Sequence, residues 1–368
     1  MSQQMKYTAQ EKNNNPVIAQ MNTYDHEQVV FCQDKATGLK AIIGIHDTTL
    51  GPALGGTRMW MYHNEMEALR DVLRLSRGMT FKAAISGLNL GGGKAVIIGD
   101  SKTQKSEALF RRFGKFVHSL SGKYITAEDM GIEPRDMEYV HMETDYVTGL
   151  PESLGGSGDP SPITAYGVFL GMKAAVKEQY GTDDISGKKV MVQGVGHVGE
   201  YLIKHITEEG GKVLVSDINE TLLADVAKKY NATVVDTDKV YEVDADIYAP
   251  CAMGATINDE TISQFKFGVV AGSANNQLED EQRHGEALQE KGIVYAPDFL
   301  INAGGIINVN REVAGYGRDY AMRHTKHIYD TTLDIFKRAT EEKLTTHNAA
   351  LKIAKDRIAS VGRMKMKR

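Results

Sequence analysis

The sequence predicts an α/β protein of two domains, an N-terminal one with a mixed sheet and a C-terminal one with a doubly wound parallel sheet. Three observations carry that expectation. The chain has 368 residues, more than twice the roughly 150 of a typical domain. From residue 187 onward, short apolar strands alternate with helical segments, as in parallel sheets covered on both faces. The first 150 residues instead mix a hairpin pattern with amphipathic helices.

Composition narrows the class. With 42% hydrophobic and 25% charged residues, and 8 prolines beside 37 glycines, the chain is neither disordered, collagen-like nor a coiled coil. No stretch approaches the ~20 apolar residues that span a bilayer. The first twenty residues, MSQQMKYTAQEKNNNPVIAQ, are polar and lack the apolar segment of a secretory signal, so the expectation is a soluble cytoplasmic protein with no membrane partner. A net charge of -5 leaves no basic bias toward nucleic acid. The basic tail, Arg363, Lys365, Lys367 and Arg368, reads as a frayed end in solvent, and a nucleic-acid binder would rest on it alone. Two cysteines, Cys32 and Cys251, are too few for a disulfide framework or a thiolate metal site. They read as buried small residues, and no metal is expected.

Residues 29–32 and 39–45 are β-branched runs joined by a turn at 34–38, a hairpin signature. Met66, Leu69, Val72 and Leu73 recur at helical spacing, and so do Phe110, Phe113, Phe116, Val117 and Leu120 within 106–120, a stripe that reads as core. Residues 149–162, GLPESLGGSGDPSP, have the composition of a domain connection. A helix should follow, with Ser161 as its cap and Pro162 at its first position. The later strands are expected at Lys189–Gln193, Lys212–Ser216, 232–235, 246–249, 268–271 and 292–295, with helix from about 320 nearly to the end.

Gly194, Val195, Gly196, His197, Val198 and Gly199 spell G-x-G-x-x-G between a strand and a helix, and the next strand ends in Asp217 at the spacing of about 20 residues that a dinucleotide-binding unit uses. The first glycine permits the turn, the second admits a pyrophosphate, and the third lets helix and strand pack closely. Asp217 can accept bonds from ribose hydroxyls and repels a 2′-phosphate, which favours NAD. The alternative is an ordinary strand–helix–strand turn in a Gly-rich chain.

Residues 78–100, GMTFKAAISGLNLGGGKAVIIGD, hold Lys82 and Lys94. A phosphate loop ending at Lys94 would need Gly at 88 and Ser or Thr at 95, where the chain has Leu88 and Ala95, so that reading fails. Either lysine alone would read as a solvated side chain beside a turn, here a triglycine loop.

The segments GPALGGTRM, MTFKAA, GLNLGGGKAVI, TAEDMG, the 194–199 fingerprint, AGSANNQL and INAGGIINV occur together and in order. In this the chain resembles the glutamate/leucine/phenylalanine/valine dehydrogenase family, most closely its leucine branch, over roughly residues 40–345. The resemblance implies a substrate-binding and oligomerisation domain over 1–150, with C-terminal helices of about 335–368 packing back on it. It implies a Rossmann-type NAD-binding domain over 151–334, with the active site in the cleft between the two. It assigns Lys94 as the catalytic lysine, Asp129 as a proton carrier at the amine and imine stage, and Lys82 as the partner of the substrate α-carboxylate. Asn276 would hold the substrate's amino-acid moiety, while Thr164 and Asn275 would lie near the nicotinamide ribose. Gly55, Gly56 and glycines 91–93 would bring backbone close to substrate.

The implied reaction is reversible NAD-dependent oxidative deamination of an L-amino acid to a 2-oxo acid and ammonia. A base must take a proton from the water that attacks the imine. Lys94 can do so near neutral pH only if burial and a neighbouring cation, such as Lys82, lower its pKa from ~10.4. Asp129 has a competing reading as a helix-start carboxylate. Glutamate-specific relatives meet the distal carboxylate with a cation and a hydroxyl; the matching positions here are Leu54 and Val309, so a second carboxylate would be buried without a partner. Ala127 and Ile306 would complete an apolar pocket for leucine, isoleucine and valine, with phenylalanine second because a methylene discriminates by only ~1–3 kcal/mol. Leu54, Ile306 and Val309 read equally as plain core.

Two positions depart from the family pattern: Gly199 stands where Ala is frequent, and Ala95 replaces a hydroxyl residue. A stretch at the N-terminus precedes the family's usual start. The expected partners are a small-molecule substrate and further copies of the chain in a homo-oligomer. The competing class is a catalytically idle NAD-binding regulator, which would be expected to lose Lys82, Lys94 or Asp129.

Overall fold

The structure, a computed structural model, describes residues 17–365; the polar N-terminal stretch before residue 17 and the basic residues Lys367 and Arg368 lie outside the described residues. The chain forms two compact units, one of residues up to 80 together with 89–154, the other of 81–88 together with the chain from 155 onward.

The first unit contains α1 (Val17–Tyr24), β1 (Gln28–Asp34), β2 (Leu39–Asp47), β3 (Ala53–Leu54), β4 (Thr57–Trp60), most of α2 (Glu65–Ile85), β5 (Gly91–Ile98), α3 (Glu107–Ser119), β6 (Tyr124–Ile125) and α4 (Pro134–His141). The hairpin turn forms as the sequence suggests. Asp34 Oδ2 accepts from the Thr37 amide at 2.9 Å and its hydroxyl at 2.8 Å, and Gly38 takes φ +76°. The sheet runs β1-β2-β5-β3-β6, with β4 also on β5; β2 is antiparallel to β1 and β5, while β3 and β4 are parallel to β5. It is therefore mixed.

Strand alternation gives β5 two faces. Val96, with Ile42 of β2, packs on Ala68, Leu69, Val72 and Leu73 of α2. Ala95 and Ile97 join Ile43 and Ile45 against Leu109, Phe110, Phe113 and Val117 of α3. Lys94, two residues from Val96, consequently emerges on the α2 side. The triglycine segment before it is the start of this strand and not a loop. Glycine is disfavoured in strands, so packing must demand it. A Cβ on Gly92 would stand 2.1 Å from Thr80 Oγ1, and one on Gly93 would stand 2.6 Å from the buried Tyr124 ring.

Below Gly92 lies a buried histidine pair. His26 Nε2 bonds Ser76 Oγ at 2.8 Å, His46 Nδ1 bonds Thr80 Oγ1 at 2.8 Å, and the rings are 4.8 Å apart. Burial, and then the neighbouring His46, pull His26 down to about 3; burial also lowers His46. An unfolded chain binds protons at these rings below its ordinary pKa of ~6.5, whereas the folded one resists them. The His26 contribution is therefore present above pH ~6.5 and is lost as pH falls toward 3, by up to about 1.4 kcal/mol per pH unit, and His46 acts in the same direction. Urea midpoints measured between pH 7 and pH 5 should fall steeply for the native chain and less steeply for His26→Gln; identical slopes would refute the assignment.

The second unit holds α5 (Ser161–Tyr180), β7 (Lys189–Gln193), α6 (His197–Glu208), β8 (Lys212–Ser216), α7 (Glu220–Tyr230), β9 (Thr233–Val234), β10 (Ile247–Pro250), α8 (Asp259–Gln264), β11 (Val269–Val270), α9 (Glu281–Glu290), β12 (Val294–Tyr295), α10 (Asp298–Ile301), α11 (Gly304–Ala314), α12 (Arg318–Thr325), α13 (His327–Glu342) and α14 (Thr346–Lys365). Each expected strand is present. All pair in parallel, in the order β12-β11-β10-β7-β8-β9. The chain moves outward from β7 to β9 and then returns to β10 on the other side, which is the doubly wound arrangement with its reversal beside β7. The start of α5 differs by one residue from expectation: Pro160 occupies the cap, Ser161 is already helical, and its amide donates to Asp159 Oδ1 at 2.9 Å. Cys32 is buried, which pushes its thiol up to about 12; Cys251 is half-buried rather than fully enclosed, and burial raises it too. Among the described residues no helix is long and apolar enough to cross a membrane.

Candidate active site

In the first unit the catalytic candidates meet. The Nζ of Lys94 lies 2.9 Å from Asp129 Oδ2, with Lys94 only 6% exposed. Asp129 reaches this position because the segment after β6 runs beside β4: the Thr57 amide donates to Ala127 O at 2.7 Å and the Met59 amide to Met130 O at 3.0 Å. Gly131 makes the exit turn at φ +78°, where a Cβ would stand 2.3 Å from Met59 O. The helix-start reading of Asp129 does not describe its position. The next helix begins at Pro134, and there Asp136 Oδ2 accepts the Glu133 amide at 2.8 Å.

The same oxygen of Asp129 takes a second donor that sequence reasoning missed, Arg58 Nε at 3.0 Å. Arg58 also donates through Nη1 to Asp71 Oδ2 at 3.0 Å, and that oxygen accepts the Tyr62 hydroxyl at 2.7 Å. Arg74 reaches Asp71 Oδ1 at 3.1 Å. Burial pulls Lys94 below the ordinary lysine range and Arg58 adds to that, against the opposing pull of Asp129 and Asp71. Burial pushes Asp129 up, but Lys94 and Arg58 outweigh it and hold the carboxyl below its usual range. The site thus has a carboxyl that favours its charged form beside an amine that gives up its proton more readily than a free lysine. The cation acting on that amine is Arg58, visible in the sequence only as a member of GPALGGTRM.

The glycines have a structural reason of their own. A Cβ on Gly55 would stand 1.7 Å from Gly93 O, and one on Gly56 would stand 2.4 Å from Glu128 O, so the first lets backbone close on the strand that carries Lys94 and the second on the segment that carries Asp129. Leu54 and Ala127 are buried next to them.

In the second unit, Lys82 Nζ, in the last turn of α2, donates to Asn275 Oδ1 at 3.2 Å. Asn302 Nδ2 donates to the same oxygen at 2.9 Å and to Ser273 O at 3.1 Å. Asn302 sits in the INAGG segment and had no role in the sequence reading. Asn276 follows in the left-handed region at φ 52°, and its carbonyl accepts the Ala255 amide at 2.7 Å. Thr164 Oγ1 donates to Pro160 O at 3.0 Å and lies against the first turn of α11, where a Cβ on Gly304 would stand 2.5 Å from Thr164 Cα. Ile306 and Val309 lie one turn apart on α11, buried and half-buried.

The fingerprint forms a tight turn that leads into an open helix N-terminus. Gly194 takes φ +101°, and a Cβ on Gly199 would stand 2.2 Å from Gly194 O, so the departure from Ala at that position suits this turn. Gly196, at the N-cap of α6, faces open space, and His197 beside it is exposed. Val195 is buried; its amide donates to Asp217 Oδ2 at 2.8 Å, while Asp217 Oδ1 accepts the Asn219 amide at 2.9 Å. Val198 is half-buried. Among the described residues no group of three or more His, Cys, Asp or Glu side chains is placed to hold a metal ion.

Residues 26–146 match the Glu/Leu/Phe/Val dehydrogenase dimerisation domain, and residues 155–225 and 214–365 match the glutamate/leucine/phenylalanine/valine dehydrogenase domain. The leucine dehydrogenase of Geobacillus stearothermophilus is 57% identical over 93% of each chain. The phenylalanine dehydrogenase of Lysinibacillus sphaericus is 50% identical over 89% of this chain and 87% of its own. The crystal structure of L-tryptophan dehydrogenase from Nostoc punctiforme superposes with a TM-score of 0.85 at 46% identity, covering 94% of this chain and 99% of that one. With a buried Lys94–Asp129 pair on a mixed sheet, a G-x-G-x-x-G turn on a doubly wound one, and this likeness over almost its whole length, the chain belongs to the glutamate/leucine/phenylalanine/valine dehydrogenase family.

Proposed function

We propose that this amino-acid dehydrogenase oxidatively deaminates L-leucine and related branched-chain L-amino acids to 2-oxo acids and ammonia, with NAD as its cofactor. The observation that carries the reading is the buried contact of Lys94 Nζ with Asp129 Oδ2 at 2.9 Å, in a chain 57% identical to a leucine dehydrogenase. The turn at 194–199 fits a dinucleotide: its second glycine leaves the N-terminus of α6 open, and Asp217 is where a ribose would lie and a 2′-phosphate would be repelled. Bound there, the nicotinamide supplies the acceptor for the hydride leaving the substrate Cα.

Lys82 pairs its charge with the substrate carboxylate and Asn276 holds the amino-acid moiety, with Asn275 and Thr164 toward the ribose. Lys94 takes a proton from the water that adds to the imine carbon, and returns it as the amine leaves. Asp129 serves as a second proton carrier at the amine and imine stage, and its charge partly offsets the positive charge that Lys94 then carries. Ala127, Ile306 and Val309 offer a ligand only apolar atoms, which suits a branched aliphatic side chain and penalises a second carboxylate, while Leu54, fully enclosed, serves as core. The match of residues 26–146 to a dimerisation domain supports a homo-oligomer, and the two free cysteines fit the reducing cytoplasm.

Formation of reduced cofactor, followed by its near-ultraviolet absorbance, tests this with NAD or NADP against leucine, isoleucine, valine, phenylalanine and glutamate. Branched-chain substrates with NAD should turn over fastest and glutamate should not. No turnover with any of them refutes the reading, and a preference for NADP refutes its cofactor half.

A further inference from the structure

The pair that carries the chemistry is one end of a longer ionic chain. Lys94 and Arg58 bond the same carboxylate oxygen, at 2.9 and 3.0 Å, so the two cations lie within about 6 Å of each other. A buried carboxylate with a lysine as its sole partner would hold that lysine protonated. Here the carboxylate is shared with a guanidinium that never loses its charge. The guanidinium is shared in turn with Asp71, itself bonded by Tyr62 and Arg74.

Resting on the function proposed above, we propose that Arg58 and Asp71 are positioning residues that set, with opposite signs, how firmly Lys94 holds its proton. Arg58 draws on the charge of Asp129 and places a cation beside the amine, which favours neutral lysine. Asp71 draws on the charge of Arg58 and weakens that influence. The other groups on this face leave the balance to these residues: the Tyr62 hydroxyl is raised by burial and stays neutral, and His46 on the adjoining strand is held neutral by its own burial. Both contributions act on Lys94 in the directions required.

The test uses the full chain and two readouts. One is the pH profile of kcat, which rises as Lys94 loses its proton. The other is the pH dependence of Lys94 acetylation by acetic anhydride, followed by peptide mapping, which needs no turnover. Arg58→Gln should move both midpoints up by roughly one pH unit. Asp71→Asn should move them down by less, and Arg58→Lys should stay near the native chain. Damage to folding lowers amplitude but cannot shift two midpoints in opposite directions. Coincident midpoints, or shifts of the same sign, overturn the inference; if Arg58→Gln does not fold, an Asp71→Asn midpoint that fails to fall does so alone. A chain inert toward every amino acid but showing the acetylation shifts would refute the proposed function and uphold this one.

Discussion

Replacing Lys94 with alanine is expected to lower kcat on the order of 10³-fold while leaving NAD affinity unchanged. The loss follows from removing the group that moves the proton of the attacking water. The retained affinity follows from placement, since residues 194–217 that form the dinucleotide turn belong to the second compact unit and Lys94 to the first. The variant should also fold. Deleting one partner of a buried ion pair normally strands the other charge at about 3–5 kcal/mol. Here Asp129 keeps Arg58 Nε at 3.0 Å, so its carboxylate remains compensated. Fluorescence titration with reduced cofactor and turnover with leucine separate the two effects. Full activity in the variant would remove Lys94 from the chemistry, and a native chain that binds the cofactor but turns over no amino acid would restore the regulator reading.

Much of this was legible in the sequence, and the reasons differ by region. The second unit announced itself because parallel strands buried on both faces read as continuous apolar runs, and because a phosphate-binding turn demands glycine at fixed positions. The hairpin and the Phe110–Phe113–Val117 stripe were equally plain, being local patterns of period two and 3.6. The centre of the first unit was not. Its strands β3, β4 and β6 are two to four residues long, and β5 begins with three glycines, so local propensity pointed to loops where close packing made strands. Arg58 was missed for a different reason. Its partners Asp71 and Asp129 are 13 and 71 residues away, and only the packing of β4 beside the segment after β6 and beside α2 brings them together. Lysine and aspartate could be named from motif chemistry, but what surrounds them is a tertiary fact. The role of Gly55 and Gly56 shifted likewise, from room for a ligand to room for the protein's own backbone.

That distinction between glycines yields a paired prediction. Gly55→Ala would place a methyl 1.7 Å from Gly93 O, a backbone atom that cannot swing aside as a side chain can. Either β5 or the β3–β4 connection must move, at about 3 kcal/mol, which for a unit of this size lowers Tm by roughly 6–12 °C. Because Gly93 precedes Lys94, the displacement also separates the amine from Asp129, so kcat should fall together with Tm. Gly196→Ala meets nothing within 4 Å, and its φ of -63° suits any residue, so Tm should not change. Its methyl would instead stand at the open N-terminus of α6, where a pyrophosphate has to approach the backbone, and NAD should bind more weakly. Thermal melts and NAD titrations on the two variants should therefore give opposite patterns: one destabilised with a failing active site, the other stable with a failing cofactor site. If Gly196→Ala bound NAD as tightly as the native chain, the turn at 194–199 would be a structural strand–helix junction and the cofactor would have to lie elsewhere.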